Sequence, residues 1–355
     1  LVGSEMCIRD RAAFIGCYLA ALLGLVWAWG GMALAWVTAW PLRYILAVAK
    51  LLSKLPGAVL FTGNRMVVWW LVLVYAMFGA AWLISRRRKV RYWIPAACSV
   101  LALCAVLTVN AVQLQRTSTV TALDVSQGQS IVFSSGRACA VVDCGGRSTA
   151  EDPGDLAARK LLAQGHRSLD LLVLTHPHDD HVNGVLRLMH WLPVRALVIP
   201  AAADTTQAPL SDILVLAEEN HTAVVRVDAE RTVTAGGISV HLYPEPCAGQ
   251  EDGSMIVLAS IGDYDTLVPG DVDMTAEVKF LSSCTYPGIE LLLVGHHGSN
   301  RSTSDAWLDA IAPDAAIISV GYNNYGHPTS ETLERLQAHN IPIYRTDQML
   351  SLIHI

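Results

Sequence analysis

The charged residues of this 355-residue chain are divided unevenly at about residue 115, which limits what each part can fold into. Residues 1–115 contain 11 Lys and Arg against 2 Asp and Glu, a net charge of +9. Residues 116–355 contain 14 against 29, a net charge of −15. Eight of the ten Trp residues lie at or before Trp93. We therefore predict a membrane part followed by a soluble, acidic domain, which excludes a single-domain cytosolic enzyme and a disordered chain.

Three long uncharged runs lie in the first part, at residues 12–40, 66–85 and 93–112. Because about 20 apolar residues cross a hydrocarbon core of about 30 Å, these runs predict three transmembrane helices. Residues 41–61 differ, since three basic residues interrupt their apolar positions at roughly helical spacing: Arg43, Lys50 and Lys54. That pattern is typical of an amphipathic helix at the membrane surface, with a fourth span as the alternative.

Five positive charges within residues 86–91 separate the second and third runs. Short basic loops stay on the cytoplasmic side, so the third helix would leave the cytoplasm. We expect a multi-pass protein of the bacterial inner membrane with residues 116–348 as an extracytoplasmic domain after the membrane part, residues 12–115. The ends, residues 1–11 and 349–355, have neither a signal-peptide pattern nor a domain pattern, and we expect them to be non-native sequence.

Three His and two Asp lie within residues 176–181, directly after the short apolar run 171–174. A hydrolytic metal site needs neutral imidazoles and anionic oxygens that converge on one point. On a turn that follows a buried strand, His176, His178, Asp180 and His181 can face one cavity. A structural core or a solvated surface rarely contains such a cluster, and we interpret it as a metal site.

The wider pattern of the acidic part is of short apolar strands with helices interleaved among them. This alternation predicts two sheets sandwiched between helices.

The motifs of the acidic part, in this order, resemble the metallo-β-lactamase superfamily. They are LDVSQGQS at 123–130, VDCGG at 142–146, LTHPHDDHVNG at 174–184, PGD at 269–271, VGHHGS at 294–299 and YGHP at 325–328. With transmembrane helices before them, they resemble the C-terminal part of the ComEC-type competence proteins, which are DNA-uptake channels. The resemblance covers residues 12–348.

This resemblance implies an α/β fold, the αββα four-layer sandwich, and a hydrolase site with one or two Zn or Mn ions. The implied metal ligands are His176, His178, Asp180, His181, Asp271 as a bridging carboxylate, and His297 in preference to His296. The candidate catalytic residues are Asp180 and Asp271, either of which could orient the attacking hydroxide, and His296, which the resemblance implies at the scissile phosphate.

Further roles follow from the same resemblance. Ser299, Arg301 and His327 are implied in substrate binding, and His327 is an alternative to His296 as proton donor. Asp143 is predicted to hold a ligand imidazole, and Asp124 either does the same or forms a turn. A separate ligand histidine before residue 271 has no obvious match in His190, His221 or His241, and Asp-Gly-Ser at 252–254 occupies that neighbourhood.

The charge of the acidic part argues against unaided DNA binding, because phosphate binding depends on Lys and Arg. If DNA is the substrate, missing domains or partner proteins of the competence machinery must hold it. The alternatives are a membrane-tethered hydrolase of a lactone, lactam or small phosphodiester, and a catalytically degenerate channel scaffold.

Overall fold

A computed structural model describes residues 17–53, 65–86, 89, 91–147, 151–244, 246 and 254–348. Both expected non-native ends lie outside these ranges. The chain forms two compact units, Leu1–Leu60 and Phe61–Ile355.

The described residues of the first unit, 17–53, form two helices, α1 (Cys17–Val26) and α2 (Ala28–Ser53). The run at residues 12–40, predicted as one span, is therefore divided at Trp27. Helix α2 also continues past Pro41, so the predicted start of the amphipathic helix is not an element boundary.

The second unit begins with two long apolar helices, α3 (Arg65–Ser85) and α4 (Trp93–Arg116). They contact each other, and the indole Nε1 of Trp70 donates to the carbonyl of Ser99 at 2.8 Å. Both are long and apolar enough to cross a membrane, and almost all of their surface is exposed. They coincide with the second and third predicted spans and indicate that the protein associates with a membrane.

The rest of the second unit contains two mixed sheets. The first has six strands in chain order: β1 (Ser118–Ala122), β2 (Ile131–Ser135), β3 (Ala138–Val142), β4 (Leu169–Val173), β5 (Val194–Pro200) and β6 (Ala223–Val227). The second has seven: β7 (Arg231–Ala235), β8 (Ile238–Tyr243), β9 (Ile256–Ile261), β10 (Tyr264–Val268), β11 (Leu291–Leu293), β12 (Ala315–Ile318) and β13 (Ile343–Arg345). In both sheets the last four strands are parallel and the earlier neighbours are antiparallel.

Helices cover the outer face of each sheet. Those that follow strands of the first sheet are α5 (Pro153–Ala163), α6 (Asp179–Val182), α7 (Val185–Trp191) and α8 (Leu210–Glu219). Those of the second sheet are α9 (Met274–Ser283), α10 (Asp305–Ile311) and α11 (Ser330–Ala338), with a 3₁₀ turn at Gly295–Gly298.

Strand β4 and the residue after it illustrate the layering. Leu171 and Val173 pack into the core between the sheets, whereas Leu172 and Leu174 pack under the helices of the first sheet. Successive side chains alternate between faces, so a parallel strand covered on both sides must be apolar throughout. A third core lies between the second sheet and its helices. These cores separate four layers, and the predicted αββα sandwich is confirmed.

Candidate metal centre

The chain leaves the carboxyl end of β4 through a tight turn into α6, and this turn carries four of the predicted ligands. His176 and His181 are fully buried, Asp180 is half-buried and His178 is exposed. The centroid of the His176 ring lies 4.1 Å from that of His181 and 4.7 Å from that of His178. The turn therefore gathers the three imidazoles at one edge of the first sheet.

The second sheet supplies Asp271 from the turn after β10. Gly270 precedes it with φ of 64°, and a Cβ there would lie 3.0 Å from the Thr175 side chain. Only glycine combines this backbone angle with so close an approach. The turn consequently places the Asp271 carboxylate, 8% exposed, against the histidines of the first sheet.

The 3₁₀ turn after β11 supplies His296 and His297. Both have positive φ, 49° and 54°, which costs backbone free energy for residues other than glycine. His297 is buried, and the side chain of His296 is 40% exposed. The strained turn thus directs one imidazole into the centre and leaves the other on the wall of the cavity.

The six predicted ligands form two groups whose ligand atoms lie within 4.8 Å of one another: His176, His178 and Asp271, and Asp180, His181 and His297. Asp271 also approaches the second group, with Oδ1 at 3.2 Å from Nε2 of His181. Its other oxygen, Oδ2, lies 3.6 Å from Nε2 of His176. This carboxylate therefore lies between the two groups.

Asp143 orients one of these ligands from behind. Its Oδ2 accepts from Nδ1 of His181 at 2.7 Å and from Gln129 Nε2 at 2.8 Å. The backbone N–H of Thr175 donates to Oδ1 of Asp143 at 2.7 Å, and the Thr175 hydroxyl donates to Oδ2 at 2.8 Å. Because Nδ1 of His181 carries the donated hydrogen, its Nε2 keeps a lone pair toward Asp271.

The other two buried imidazoles also carry their proton on Nδ1. Nδ1 of His297 donates to the carbonyl of Ser319 at 2.8 Å. The hydroxyl of Thr175 gives its proton to Asp143 and so accepts from Nδ1 of His176 at 3.0 Å. All three Nε2 atoms therefore offer lone pairs to the centre, as metal-ligating histidines do.

Several buried atoms at this point lack the partners they need. Nε2 of His181 and Nε2 of His297 lie 3.3 Å apart, although each Nδ1 already serves as a donor. Nε2 of His176 and Oδ1 of Asp271 are buried without a hydrogen-bond partner among the described residues. A cation among them would satisfy these lone pairs, and mixed imidazole and carboxylate ligands suit divalent ions such as Zn, Mn or Fe. The residues fit one or two divalent cations.

The charges of the centre favour a positive ion. Burial alone would raise the pKa of Asp271 and lower that of His181. The charge of His181 instead holds the pKa of Asp271 well below its usual value, while Asp271 and Asp143 hold the pKa of His181 well above its own. Burial would also raise the pKa of Asp180, but positive charge on the neighbouring His297 and His181 imidazoles lowers it. In the metal-free protein this positive charge is a proton on the imidazoles, and a divalent cation would displace that proton and meet the Nε2 lone pairs instead.

An open cavity of about 540 Å³ lies over this centre. His178, Asp180, Asp271, His296 and His297 line it, as does His327, whose ring centroid lies 5.6 Å from that of His296. Its rim also contains Gln127, Arg147, Asp179, Asp204, Gln207 and Tyr325. The centre is accessible to a substrate.

Two residues predicted to bind substrate lie outside this cavity. The hydroxyl of Ser299 is buried and accepts from the backbone N–H of Arg301 at 3.3 Å, and the Ser299 carbonyl accepts from Thr332 in α11 at 3.0 Å. The Arg301 side chain is exposed away from the cavity lining. Gly298, with φ of 87°, turns the chain so that this segment packs on α11 instead. The geometry does not support substrate contact by Ser299 or Arg301.

Asp124 is also placed away from the ligand imidazoles. It is exposed, and its carboxylate accepts from the backbone N–H of Ser126 at 3.2 Å. Asp124 was predicted either to hold a ligand imidazole or to form a turn, and its hydrogen bond with Ser126 supports the turn.

Within the described ranges, no seventh residue joins either ligand group. His190 and His241 bond elsewhere, to the Leu186 carbonyl and the Thr232 hydroxyl, and His221 is exposed. Residues 252 and 253 lie outside the described part, and Ser254 is buried.

Several contributors to the site were not predicted: Gln129, Thr175, Ser319, Arg147 and Tyr325. Gln129, Thr175 and Tyr325 lie inside the quoted motifs, so the motifs themselves could have indicated them. Ser319 accepts from His297 through its backbone carbonyl, which every residue type has. The residue type at position 319 therefore could not predict this contact. Arg147 and Tyr325 are far apart in sequence and meet only in the folded chain.

A sequence model of the Metallo-beta-lactamase superfamily matches residues 123–322. The chain belongs to the metallo-β-lactamase superfamily. The match includes all six predicted ligands, so the superfamily and the geometry describe one site. A metal-dependent hydrolase is the class of enzyme that this domain represents.

Curated relatives of this metallo-β-lactamase chain include competence proteins. ComE operon protein 3 of Bacillus subtilis (strain 168) is 29% identical over 247 residues, which covers 64% of this chain and 31% of the relative. Competence protein ComA of Neisseria gonorrhoeae is 29% identical over 234 residues, with coverages of 64% and 31%. The resemblance to competence proteins is confirmed, and the chain spans about a third of the length of these relatives.

Among solved structures, the metallo-β-lactamase fold protein YhfI from Bacillus subtilis is 13% identical. The match has a TM-score of 0.45 and covers 66% of this chain and 99% of YhfI.

Proposed function

We propose that this domain is a metal-dependent phosphodiesterase that cleaves DNA on the extracytoplasmic side of a bacterial membrane, as part of a DNA-uptake channel. The observation that carries the proposal is the pair of ligand groups with Asp271 between them, at the floor of an open cavity. The similarity to competence proteins supports DNA as the substrate class.

Divalent ions held by these ligands would lower the pKa of a water molecule and neutralise charge on the phosphodiester. The chain's own residues would perform the remaining steps. Asp180 and Asp271, both held in the anionic form, are suited to orient the attacking water. His296 and His327 stand on the cavity wall, where either can donate a proton to the leaving oxygen.

Arg147 is suited to hold a substrate phosphate. It is the only Lys or Arg among the described residues that line the cavity, where four Asp also lie. Its Nη1 donates to the hydroxyl of Tyr325 at 3.1 Å, and the guanidinium lies 5.9 Å from the centre of the Tyr325 ring. This contact fixes the cation at the rim.

We expect Arg147→Ala to raise KM for DNA about tenfold while kcat changes little, because it removes a charge-assisted contact made equally in the ground and transition states. Steady-state cleavage of a fluorescent oligonucleotide measures this. Arg231→Ala, which removes an exposed arginine at the start of β7 and outside the cavity lining, is the matched control. An unchanged KM would remove Arg147 from substrate binding.

The direct test uses the full chain in detergent with Mn²⁺ or Zn²⁺ and linear DNA. We expect cleavage that a chelator and Asp180→Ala both abolish. Asp212→Ala, on the exposed face of α8, should retain it. Absence of cleavage with every divalent ion tested would refute the nuclease.

The acidic rim of the cavity and the net charge of −15 for residues 116–355 favour a second candidate, the hydrolysis of a small substrate. Chromogenic lactams, lactones and small phosphodiesters test it in the same preparation. Turnover of one of these without DNA cleavage would select this function. A chain that binds no metal by elemental analysis would instead act as a channel scaffold.

A further inference from the structure

The face of the domain that adjoins α4 is joined to that helix almost without a linker. Helix α4 ends at Arg116 and β1 begins at Ser118, so only Thr117 separates them. Thr117 is extended, and its hydroxyl donates to the carbonyl of Gln113 at 2.8 Å. The first sheet is therefore tied directly to the end of the helix.

Two turns of the domain lie against the last turn of α4. Gly136, in the turn between β2 and β3, has φ of 61°, and a Cβ there would lie 3.3 Å from the carbonyl oxygen of Gln115. Gly165, after α5, has φ of 86°, and a Cβ there would lie 3.8 Å from the side chain of Leu114. These contacts hold both turns beside the point where the helix ends.

A cavity of about 460 Å³ opens between α4 and these turns. Asn110 and Leu114 line it on the helix side, and Arg137, Arg167 and Arg195 line it on the domain side. We call these three residues the arginine cluster. All three side chains are exposed.

The arginine cluster contrasts with the acidity of the domain, because it contains 3 of the 14 Lys and Arg in residues 116–355. Arg195 pairs with Asp170 at 2.8 Å but remains 70% exposed. For Arg137 and Arg167, no ion pair occurs within the part of the chain that the structure describes. The cavity is therefore positively charged and has guanidinium groups available to an anion.

The position of the cluster along α4 indicates which anion. If α4 spans the membrane from Trp93, about 20 residues cross the hydrocarbon core, so Asn110 to Gln115 lie at the level of the lipid headgroups. Guanidinium groups match phosphate oxygens with paired hydrogen bonds. An arginine cluster at this depth faces the phosphates of the nearest leaflet.

We propose that this cavity binds the phosphate headgroup of an anionic phospholipid. The inference rests on membrane insertion of α4 and is independent of the nuclease proposal. The arginine cluster lies at the amino ends of β3, β4 and β5. The metal centre lies at the opposite side, after the carboxyl ends of β3 and β4. A bound headgroup would thus hold the metal centre on the side of the domain that faces away from the membrane.

The test compares the full chain in nanodiscs of phosphatidylcholine alone and of phosphatidylcholine mixed with phosphatidylglycerol. Amide hydrogen exchange is followed in residues 134–138 and 164–168. We expect exchange there to slow at least about fivefold in the anionic nanodiscs, since each basic side chain near an anionic surface strengthens binding by about that factor. High salt should remove the difference.

The triple variant Arg137→Gln, Arg167→Gln and Arg195→Gln should exchange equally in both nanodiscs. The control Arg187→Gln, Arg226→Gln and Arg231→Gln removes the same charge from exposed positions outside this cavity and should keep the difference. If the first variant does not fold, the salt dependence of the unmodified chain decides.

Equal exchange of the unmodified chain in the two nanodiscs overturns the proposal. So does a triple variant that keeps the lipid effect but loses DNA binding in phosphatidylcholine nanodiscs, since the cluster would then serve the DNA backbone. Loss of DNA cleavage alone, with the lipid effect intact, would count against the nuclease and leave the headgroup site standing.

Discussion

Asp271→Asn is expected to empty both ligand groups of metal and to lower hydrolysis by about a thousandfold or more. The carboxylate lies 3.6 Å from Nε2 of His176 and 3.2 Å from Nε2 of His181, so one side chain serves both groups. Asparagine keeps the shape but removes the charge and offers a single weak oxygen ligand. The imidazole lone pairs would then face one another without the anion that balances a cation.

Metal content by elemental analysis and cleavage of an activated phosphodiester, both on the purified full chain, measure the effect. Asp273→Asn is the matched control, two residues further on, where the carboxylate caps α9 by accepting from the N–H groups of Thr275 and Ala276. Asparagine is an equally good helix cap, so the control should keep its metal and its activity. A fully metallated, active Asp271→Asn protein would contradict a role for Asp271 in holding metal between the two ligand groups.

Asp143→Ala is expected to lower the free energy of unfolding of the metal-free protein by about 3–5 kcal/mol, as removal of one partner of a buried ion pair does. It is also expected to weaken metal binding about 10- to 100-fold, because Asp143 is the hydrogen-bond partner of a ligand histidine. The carboxylate is fully buried and accepts four hydrogen bonds, from Gln129, His181 and twice from Thr175. Its removal leaves buried donors unpaired and frees the ring of His181 to rotate away from the centre.

Denaturant unfolding of the metal-free chain and titration with Zn²⁺ measure the two effects separately. Asp124→Ala is the control, because Asp124 is exposed and its described contact is a turn within its own loop. We expect that variant to lose about 1 kcal/mol or less and to bind metal normally. Comparable losses in the two variants would mean that Asp143 contributes no more than a surface turn does.

The αββα fold and the first ligands were predictable because their signals lie in consecutive residues. His176, His178, Asp180 and His181 fall on one turn after an apolar strand, where alternate side chains share a direction. Asp271 and His297 lie about a hundred residues away, and only resemblance to a family connected them to that turn. The structure brings them together because the carboxyl ends of β4, β10 and β11 meet at one edge of the sandwich.

Other features were beyond the reach of the sequence. Local backbone geometry divides the first apolar run at Trp27 and places Ser299 away from the cavity. Neither an uncharged run nor a short motif predicts that geometry. The arginine cluster is a clearer case. Arg137, Arg167 and Arg195 are about thirty residues apart in sequence and form no basic run. The composition of residues 116–355 therefore indicated an acidic domain and gave no sign of a basic cluster.

The sequence by itself determined the partition into apolar helices and an acidic sandwich, and the candidate metal-binding residues of the turn at 176–181. Both depend on residue type and on spacing between neighbouring residues, which the sequence shows directly. The tertiary structure decided which lone pairs face each other, which carboxylate lies between the groups and which arginines gather beside α4. These depend on the close approach of turns from different strands, and no local pattern encodes that approach.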